Sequence, residues 1–321
     1  MTGFARAVVV DDRLAIRAAY LYYRLDLTQA RVASRLGVSR AKVGRLLASA
    51  RSSGIVSIDI QHPLSRVTGM EVALVMRYGL RDAVVASTLA GPEGEGDLQL
   101  LAVGAAGAHY LASLELDQTA LALGWGTTMQ AVAAALYPGW AHEVDVYQLN
   151  GAVPAPGHAT GAAEMMDRFA ELGAGRAHHL QVPAIVDRIA VREALEAERS
   201  VSRDLSGARD APVAMFSLGD LCRESVLVAS GYIDADLIDS LRGCGAVGDL
   251  ISRFVGADGQ ITDPELDQRT MGLELESLGA RGVAIGIAAG PSKAPIARAA
   301  IAGGHLNTLI VDDSLAAALL A

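Results

Sequence analysis

Apolar positions along the chain follow two rhythms. Over the first 60 residues they recur every three or four positions: Leu14, Ala18, Leu21 and Leu25, then Val32, Ala33 and Leu36, then Val43, Leu46 and Leu47. This period keeps one helix face apolar, and it predicts helices over about 12–25, 29–36 and 40–52. Thr28 (or Asp26) and Ser39 stand where N-terminal caps belong, with a side-chain oxygen to accept an otherwise unpaired amide. Gly37 supplies the left-handed conformation that ends the middle helix. The small Ala33, then Gly37, then Val43 give the spacing of two helices joined by a tight turn. Gly54 stops the third helix. Ile55, Ser57 and Asp59 then alternate with Val56, Ile58 and Ile60, which predicts a short strand or wing.

Beyond Pro63 and Ser65, which open a connecting helix to about Tyr78, short apolar runs alternate with helical patterns. Strands are expected at 83–87, 120–124, 143–149, 178–182, 213–218, 246–254, 283–288 and 308–311. Helices are expected at 98–114, 128–137, 164–172, 187–197, 236–241, 292–302 and 314–320. Gly91–Gly96 and Gly207–Pro212 read as loops, and Val255–Gln260 as a hairpin. Such alternation implies a mostly parallel sheet covered on both faces. The expected class is therefore α/β: a helix-turn-helix, winged-helix-like domain over 1–60 and a larger Rossmann-like domain over 61–321.

Composition narrows the function. The 321 residues are 51% hydrophobic and 20% charged, too apolar for a disordered chain. No apolar run reaches the ~18 residues of a membrane span, and Asp11 and Asp12 cut short any export signal. A cytoplasmic protein without a membrane partner is expected. The two cysteines, Cys222 and Cys244, fit no metal spacing and read as small core residues. The seven histidines include no His-x-x-x-His pair and read as structural or surface residues. Neither a metal nor a cofactor is implied.

The net charge of −9 conceals a division. Nine basic residues lie between Arg13 and Ser57 against one acid, Asp26, a net +8, so the rest of the chain carries −17. No Lys or Arg occurs from Asp82 to Asp167. A small cationic module suits a polyanion that the larger acidic module would repel. Ser39, Arg40, Lys42 and Arg45 cluster at the start of the third helix, where a recognition helix meets base edges in the major groove. Arg and Lys there can donate to guanine O6 and N7. Gln29, opening the preceding helix, can grip a phosphate. Packing alone, or a basic face turned to protein or RNA, would produce similar charge.

In a parallel sheet, ligands sit beyond the carboxyl ends of the strands. Two strand-to-helix junctions fit. Gly124-Trp125-Gly126-Thr127-Thr128 combines backbone access, two hydroxyls and a helix start, though a plain tight turn would look alike. Ala289-Gly290-Pro291-Ser292-Lys293 repeats the arrangement with one of the chain's two lysines. The helix dipole disfavours a lysine there unless an anion is near.

Several motifs together resemble the SorC family of sugar-responsive transcriptional regulators. At the DNA-binding end these are Leu27-Thr28-Gln29, Val32-Ala33, Leu36-Gly37-Val38-Ser39-Arg40, Val43, Arg45-Leu46-Leu47, Ala50-Arg51 and Gly54-Ile55-Val56. In the larger module they are Gly124-Trp125-Gly126-Thr127-Thr128, Asn150-Gly151, Ser217-Leu218-Gly219-Asp220, Gly245-Ala246-Val247-Gly248-Asp249, Gly290 with Lys293, and Asp312-Asp313. Ala289, Leu218 and Asp313 depart from the residues usual in the family. The resemblance implies an effector domain with the fold of sugar-phosphate isomerases. In it Gly126, Thr127, Thr128 and Lys293 would hold a phosphate, Asp249 would accept sugar hydroxyls, and Asn150 and Asp220 would line the pocket. The implied partners are double-stranded operator DNA and a small sugar or sugar phosphate. The implied assembly is a homodimer or homotetramer, because one helix-turn-helix reads little sequence. The rival reading is a sugar-phosphate isomerase with an accessory helix-turn-helix and Asp249 or Asp220 as its base.

If the nine cations of the first module meet phosphates, DNA affinity should fall about a hundred-fold or more between 50 and 200 mM salt, as for about four or more phosphate contacts. Filter binding across that range measures it, and a flat response would remove those cations from the interface.

Overall fold

The computed structural model describes residues 13–53, 55–56, 65–88, 95–152, 160–222 and 225–321. The chain divides into two compact units, Met1–Pro63 and Leu64–Ala321.

The first unit holds three helices: α1 (residues 13–24), α2 (Gln29–Leu36) and α3 (Arg40–Ser52). Thr28 and Ser39 cap α2 and α3, accepting from the amides of Arg31 and Lys42 at 3.4 and 3.2 Å. Gly37 ends α2 at φ +64°, and Val38 N–H reaches back to the Ala33 carbonyl at 3.0 Å, closing the turn as a left-handed cap does. Ala15, Ala18, Ala19, Val32, Ala33, Val43, Leu46, Leu47 and Ala50 form the core. Leu25, expected inside, is 47% exposed. The end of α1 widens into a π-turn over Tyr20–Arg24, which rotates the following residue off the apolar face. Of the expected wing only Ile55 and Val56 are described; Gly54 and 57–60 lie outside the described residues, as do 61–64, most of the Gly91–Gly96 loop, His62 and His158.

The second unit opens with α4 (Ser65–Tyr78) and β1 (Asp82–Ala86), followed by α5 (Glu95–Ser113), β2 (Ala120–Leu123), α6 (Thr127–Ala135), β3 (Asp145–Gln148), α7 (Ala162–Leu172) and β4 (Arg176–His178). Then come α8 (Ile189–Ala197), α9 (Arg199–Asp210), β5 (Val213–Asp220), α10 (Val226–Ala229), α11 (Ala235–Gly243), β6 (Ala246–Leu250) and β7 (Arg253–Gly256). The remainder is α12 (Pro264–Asp267), α13 (Glu276–Gly279), β8 (Val283–Ala288), α14 (Ala294–Ala302) after a 3-10 turn at Pro291–Lys293, β9 (Thr308–Asp312) and α15 (Asp313–Leu320). Seven strands pair in parallel in the order β1-β9-β8-β5-β2-β3-β4. Side chains alternate between two cores. Leu121, Leu123, Val213 and Met215 face α5, α6 and α7, while Ala122, Ala214, Phe216 and Leu218 face α9, α14 and α15. Every residue of β8 and β9 is buried, as strands covered on both faces require.

A Cβ on Gly104 of α5 would lie 2.7 Å from the Ala131 backbone of α6, so small, uncharged residues let these helices touch.

Four expectations are corrected. The run 246–254 is a hairpin, not one strand: β6 and β7 pair antiparallel through Ile251 and Ser252, at φ 46° and 69°. An Asp249–Ser252 contact described below holds that turn without the Gly or Asn usual there. The expected strand at 178–182 is three residues, Arg176–His178; Leu180 and Val182 are buried beyond it, so their apolarity reflects core packing and not sheet pairing. Gly207–Pro212 is mostly the end of α9, where a Cβ on Gly207 would meet the Tyr147 ring at 2.1 Å. The cysteines are not core residues: Cys244 is exposed and Cys222 is half-buried, because the first caps α11 and the second follows the carboxyl end of β5.

Arg253 is 2% exposed. Its guanidinium donates to the carbonyls of Leu273, Thr270 and Gly272 and to the Asp267 carboxylate, tying the 267–273 strap to β7. Removing one partner of such a buried network costs about 3–5 kcal/mol. Arg253→Ala should lose about that much in chemical denaturation, and a loss below about 1 kcal/mol would show the strap held by other contacts.

Candidate functional site

The chain runs outward from β2 to β3 and β4 on one side of the sheet, and from β5 to β8 and β9 on the other. The β2–β5 seam is thus the topological switch point, where a crevice opens beyond the strand ends. The structure places there a cleft of about 170 Å³. Of the nine effector residues expected from the sequence, eight line it: Gly124, Gly126, Thr127, Thr128, Asn150, Asp220, Asp249 and Lys293. Gly290 does not. Its amide donates to Asp312 at 2.6 Å, so it anchors the turn carrying Lys293.

The β2 side supplies backbone donors. Gly126 precedes α6 at φ 152°, and a Cβ there would sit 2.3 Å from Ser217 Oγ. Ser217 donates to the Trp125 carbonyl at 3.2 Å, and Trp125 Nε1 to Gly151 O at 3.0 Å, which fixes the loop. Among the described residues no side chain caps α6. The first amides of α6, with the positive end of its dipole, therefore face the cleft beside the Thr127 and Thr128 hydroxyls and suit an anion.

The β5 side supplies charge. Lys293 Nζ stands 2.7 Å from Asp220 Oδ1. After Ser217, β5 leaves its parallel partner β8 and pairs with antiparallel β6, placing Gly219 opposite Asp249. A Cβ on Gly219 would lie 1.9 Å from Asp249 Oδ1, so only glycine lets that carboxyl lie against the strand. Asp249 Oδ2 accepts from Ser252 N–H at 3.1 Å. Burial pushes the Asp249 carboxyl from its usual 3.8 up to about 6; Ser252 N–H and Lys293 oppose the rise, and Asp220 adds to it. Asn150, 2% exposed, donates from Nδ2 to Ser252 Oγ at 2.8 Å.

Sequence reasoning missed Ser225 and Ser252 in the lining. Ser252 is legible only once the hairpin is known, and Ser225 stands on no regular element. In the first unit Arg40 and Arg45 are exposed along α3, Lys42 and Gln29 are half-buried, and Ser39 caps α3.

A family model described as "Putative sugar-binding domain" matches residues 62–321. The chain is 32% identical over 309 residues to the deoxyribonucleoside regulator of Bacillus subtilis (strain 168), covering 96% of this chain and 97% of that one. It is 30% identical over 312 residues to the erythritol catabolism regulatory protein EryD of Brucella abortus (strain 2308), covering 97% of each. It belongs to the SorC family of sugar-binding transcriptional regulators. The crystal structure of the full-length sorbitol operon regulator SorC from Klebsiella pneumoniae matches with a TM-score of 0.73 and 26% identity, over 97% of this chain and 99% of that one. Likeness to the SorC family thus spans both units, and the chain is a transcriptional regulator controlled by a sugar effector. No helix among the described residues is long and apolar enough to cross a membrane.

Because Asp249 has a higher pKa folded than unfolded, its neutral form contributes stability at low pH that is lost as pH rises through about 6. Asp249→Asn, which cannot ionise, should therefore raise the melting temperature of the ligand-free protein above pH 6 and leave it nearly unchanged near pH 4. Equal shifts at both pH values would mean that the carboxyl is not penalised by its surroundings.

Proposed function

We propose that residues 1–60 dock on double-stranded operator DNA and that residues 61–321 bind a small sugar phosphate that controls this docking. The observation that carries the effector half is the convergence of the bare α6 N-terminus, with Gly126, Thr127 and Thr128, and Lys293, from distant parts of the sequence, on one cleft. The phosphate sits on the α6 amides and competes with Asp220 for Lys293, while Asp249 takes sugar hydroxyls. Lys293 acts here as a charge. Gln29 grips a backbone phosphate, and Ser39, Arg40, Lys42 and Arg45 meet the groove. The protein works in the cytoplasm as a symmetric homodimer or homotetramer on paired half-sites. Regulation requires only that effector bind the DNA-competent and DNA-incompetent assemblies unequally.

We read the chain as a sensor and not as a catalyst. A carboxyl poised near pH 6 would also suit a general base, so pentose and hexose phosphates should be incubated with the protein and checked for isomerised product. Turnover abolished in Asp249→Asn would establish the enzyme instead.

Lys293→Ala should abolish thermal stabilisation by sugar phosphates and leave DNA binding intact; undiminished stabilisation would remove Lys293 from the site. Arg40→Ala should weaken operator binding by about 1–3 kcal/mol and relax preference at one base pair. Equal weakening on every sequence would place Arg40 on the phosphate backbone.

A further inference from the structure

We propose that Asp220 and Asp249 act together as a charge filter, so that the cleft takes a sugar phosphate whose sugar part is uncharged and rejects sugar bisphosphates and phosphorylated sugar acids. This deepens, and rests on, the sugar-phosphate reading above. The observation behind it is an imbalance of charge within one cleft. Two carboxylates line it, and among the described residues Lys293 is the only basic side chain that does so. Lys293 Nζ already stands 2.7 Å from Asp220 Oδ1, and the Asp220 side chain is 30% exposed. The run from Asp82 to Asp167, which supplies β2, α6 and β3, contains no Lys or Arg. The wall facing the two acids therefore offers amides and hydroxyls but no further Lys or Arg.

One phosphate occupies both features that suit an anion. It takes the α6 amides and draws Lys293 away from Asp220, which leaves Asp220 as a second uncompensated carboxylate in the cleft with Asp249. The two already sense each other: the charge of Asp220 adds to the burial that holds the Asp249 carboxyl up at about 6, and Lys293 opposes it. Above that pH Asp249 carries its charge. A sugar hydroxyl brings a donor to either carboxylate. A second phosphate, or a carboxylate in place of a terminal hydroxyl, brings acceptors and a like charge instead. Such a charge is felt across several ångströms and needs no direct contact. Like charges set together are an effective means of refusing the wrong ligand.

The test is calorimetric titration of the whole chain at pH 8 with matched ligand pairs. D-Erythritol 4-phosphate, D-ribose 5-phosphate and D-glucitol 6-phosphate are each compared with the phosphorylated acid of the same carbon number (4-phospho-D-erythronate, 5-phospho-D-ribonate and 6-phospho-D-gluconate). D-Fructose 6-phosphate is compared with D-fructose 1,6-bisphosphate. The acids differ little in size from their partners, so they separate charge from crowding. The wild type should bind the tightest uncharged-tail ligand at least about ten-fold more tightly than its charged counterpart. In Asp249→Asn, which keeps the shape and removes the charge, that ratio should fall towards one because the charged ligand gains affinity. Loss of a contact or of the fold would not produce such a gain. Asp220→Asn should narrow the same ratio and serves if Asp249→Asn fails to fold. Equal or tighter binding of the charged ligands by the wild type, or a ratio unaltered in the variants that fold, overturns the filter and leaves the phosphate site standing. If none of the sugar phosphates binds, the sugar-phosphate reading falls and this inference with it.

Discussion

The cleft exists because one strand changes partners. Up to Ser217, β5 is an interior strand of a parallel sheet; from Leu218 to Asp220 it pairs antiparallel with β6. That exchange lifts a hairpin above the sheet at its switch point and sets Asp249 over the seam between β2 and β5. Glycine at 219 permits it, since any side chain would collide with the Asp249 carboxyl. Without the exchange the seam would be an open groove with helix amides on one side and nothing opposite.

The electrostatics follow from this geometry. The wall built by the hairpin and the end of β5 holds Asp249, whose carboxyl burial pushes up to about 6, and Asp220, paired with Lys293. The wall built by β2 and α6 holds no formal charge and acts through oriented amides. A ligand with one anionic end and one hydroxyl-rich end satisfies both walls, and the reverse orientation would set like charges together. The first unit differs: its cations are spread over three helices, and all but the half-buried Lys42 are exposed, where ionic contacts are screened by salt.

Much of this was legible in the residues. The spacing of Thr28, Gly37 and Ser39 fixed α2 and α3 to the residue, because caps and left-handed turns are local chemistry. The parallel strands were legible from apolar runs, and the two strand-to-helix junctions that meet at the cleft from glycine and hydroxyl placement. What was hidden depends on tertiary contact. The β6–β7 turn carries Ile251 and Ser252 in a conformation that neither residue prefers, so no turn signal marks it, and with it went Ser252. Gly207 looked like a loop residue because its partner, Tyr147, lies sixty positions away. Gly290 looked like a ligand contact because its backbone role resembles that of Gly126; only the Asp312 carboxylate separates the two.

The lining residues run from Gly124 to Lys293 and meet only after β2, β5 and β6 have come together. The cleft is therefore incomplete in a nascent or clipped chain that lacks its last quarter, however well its earlier helices have formed. Any signal read through this cleft is thereby tied to the integrity of the molecule that carries it.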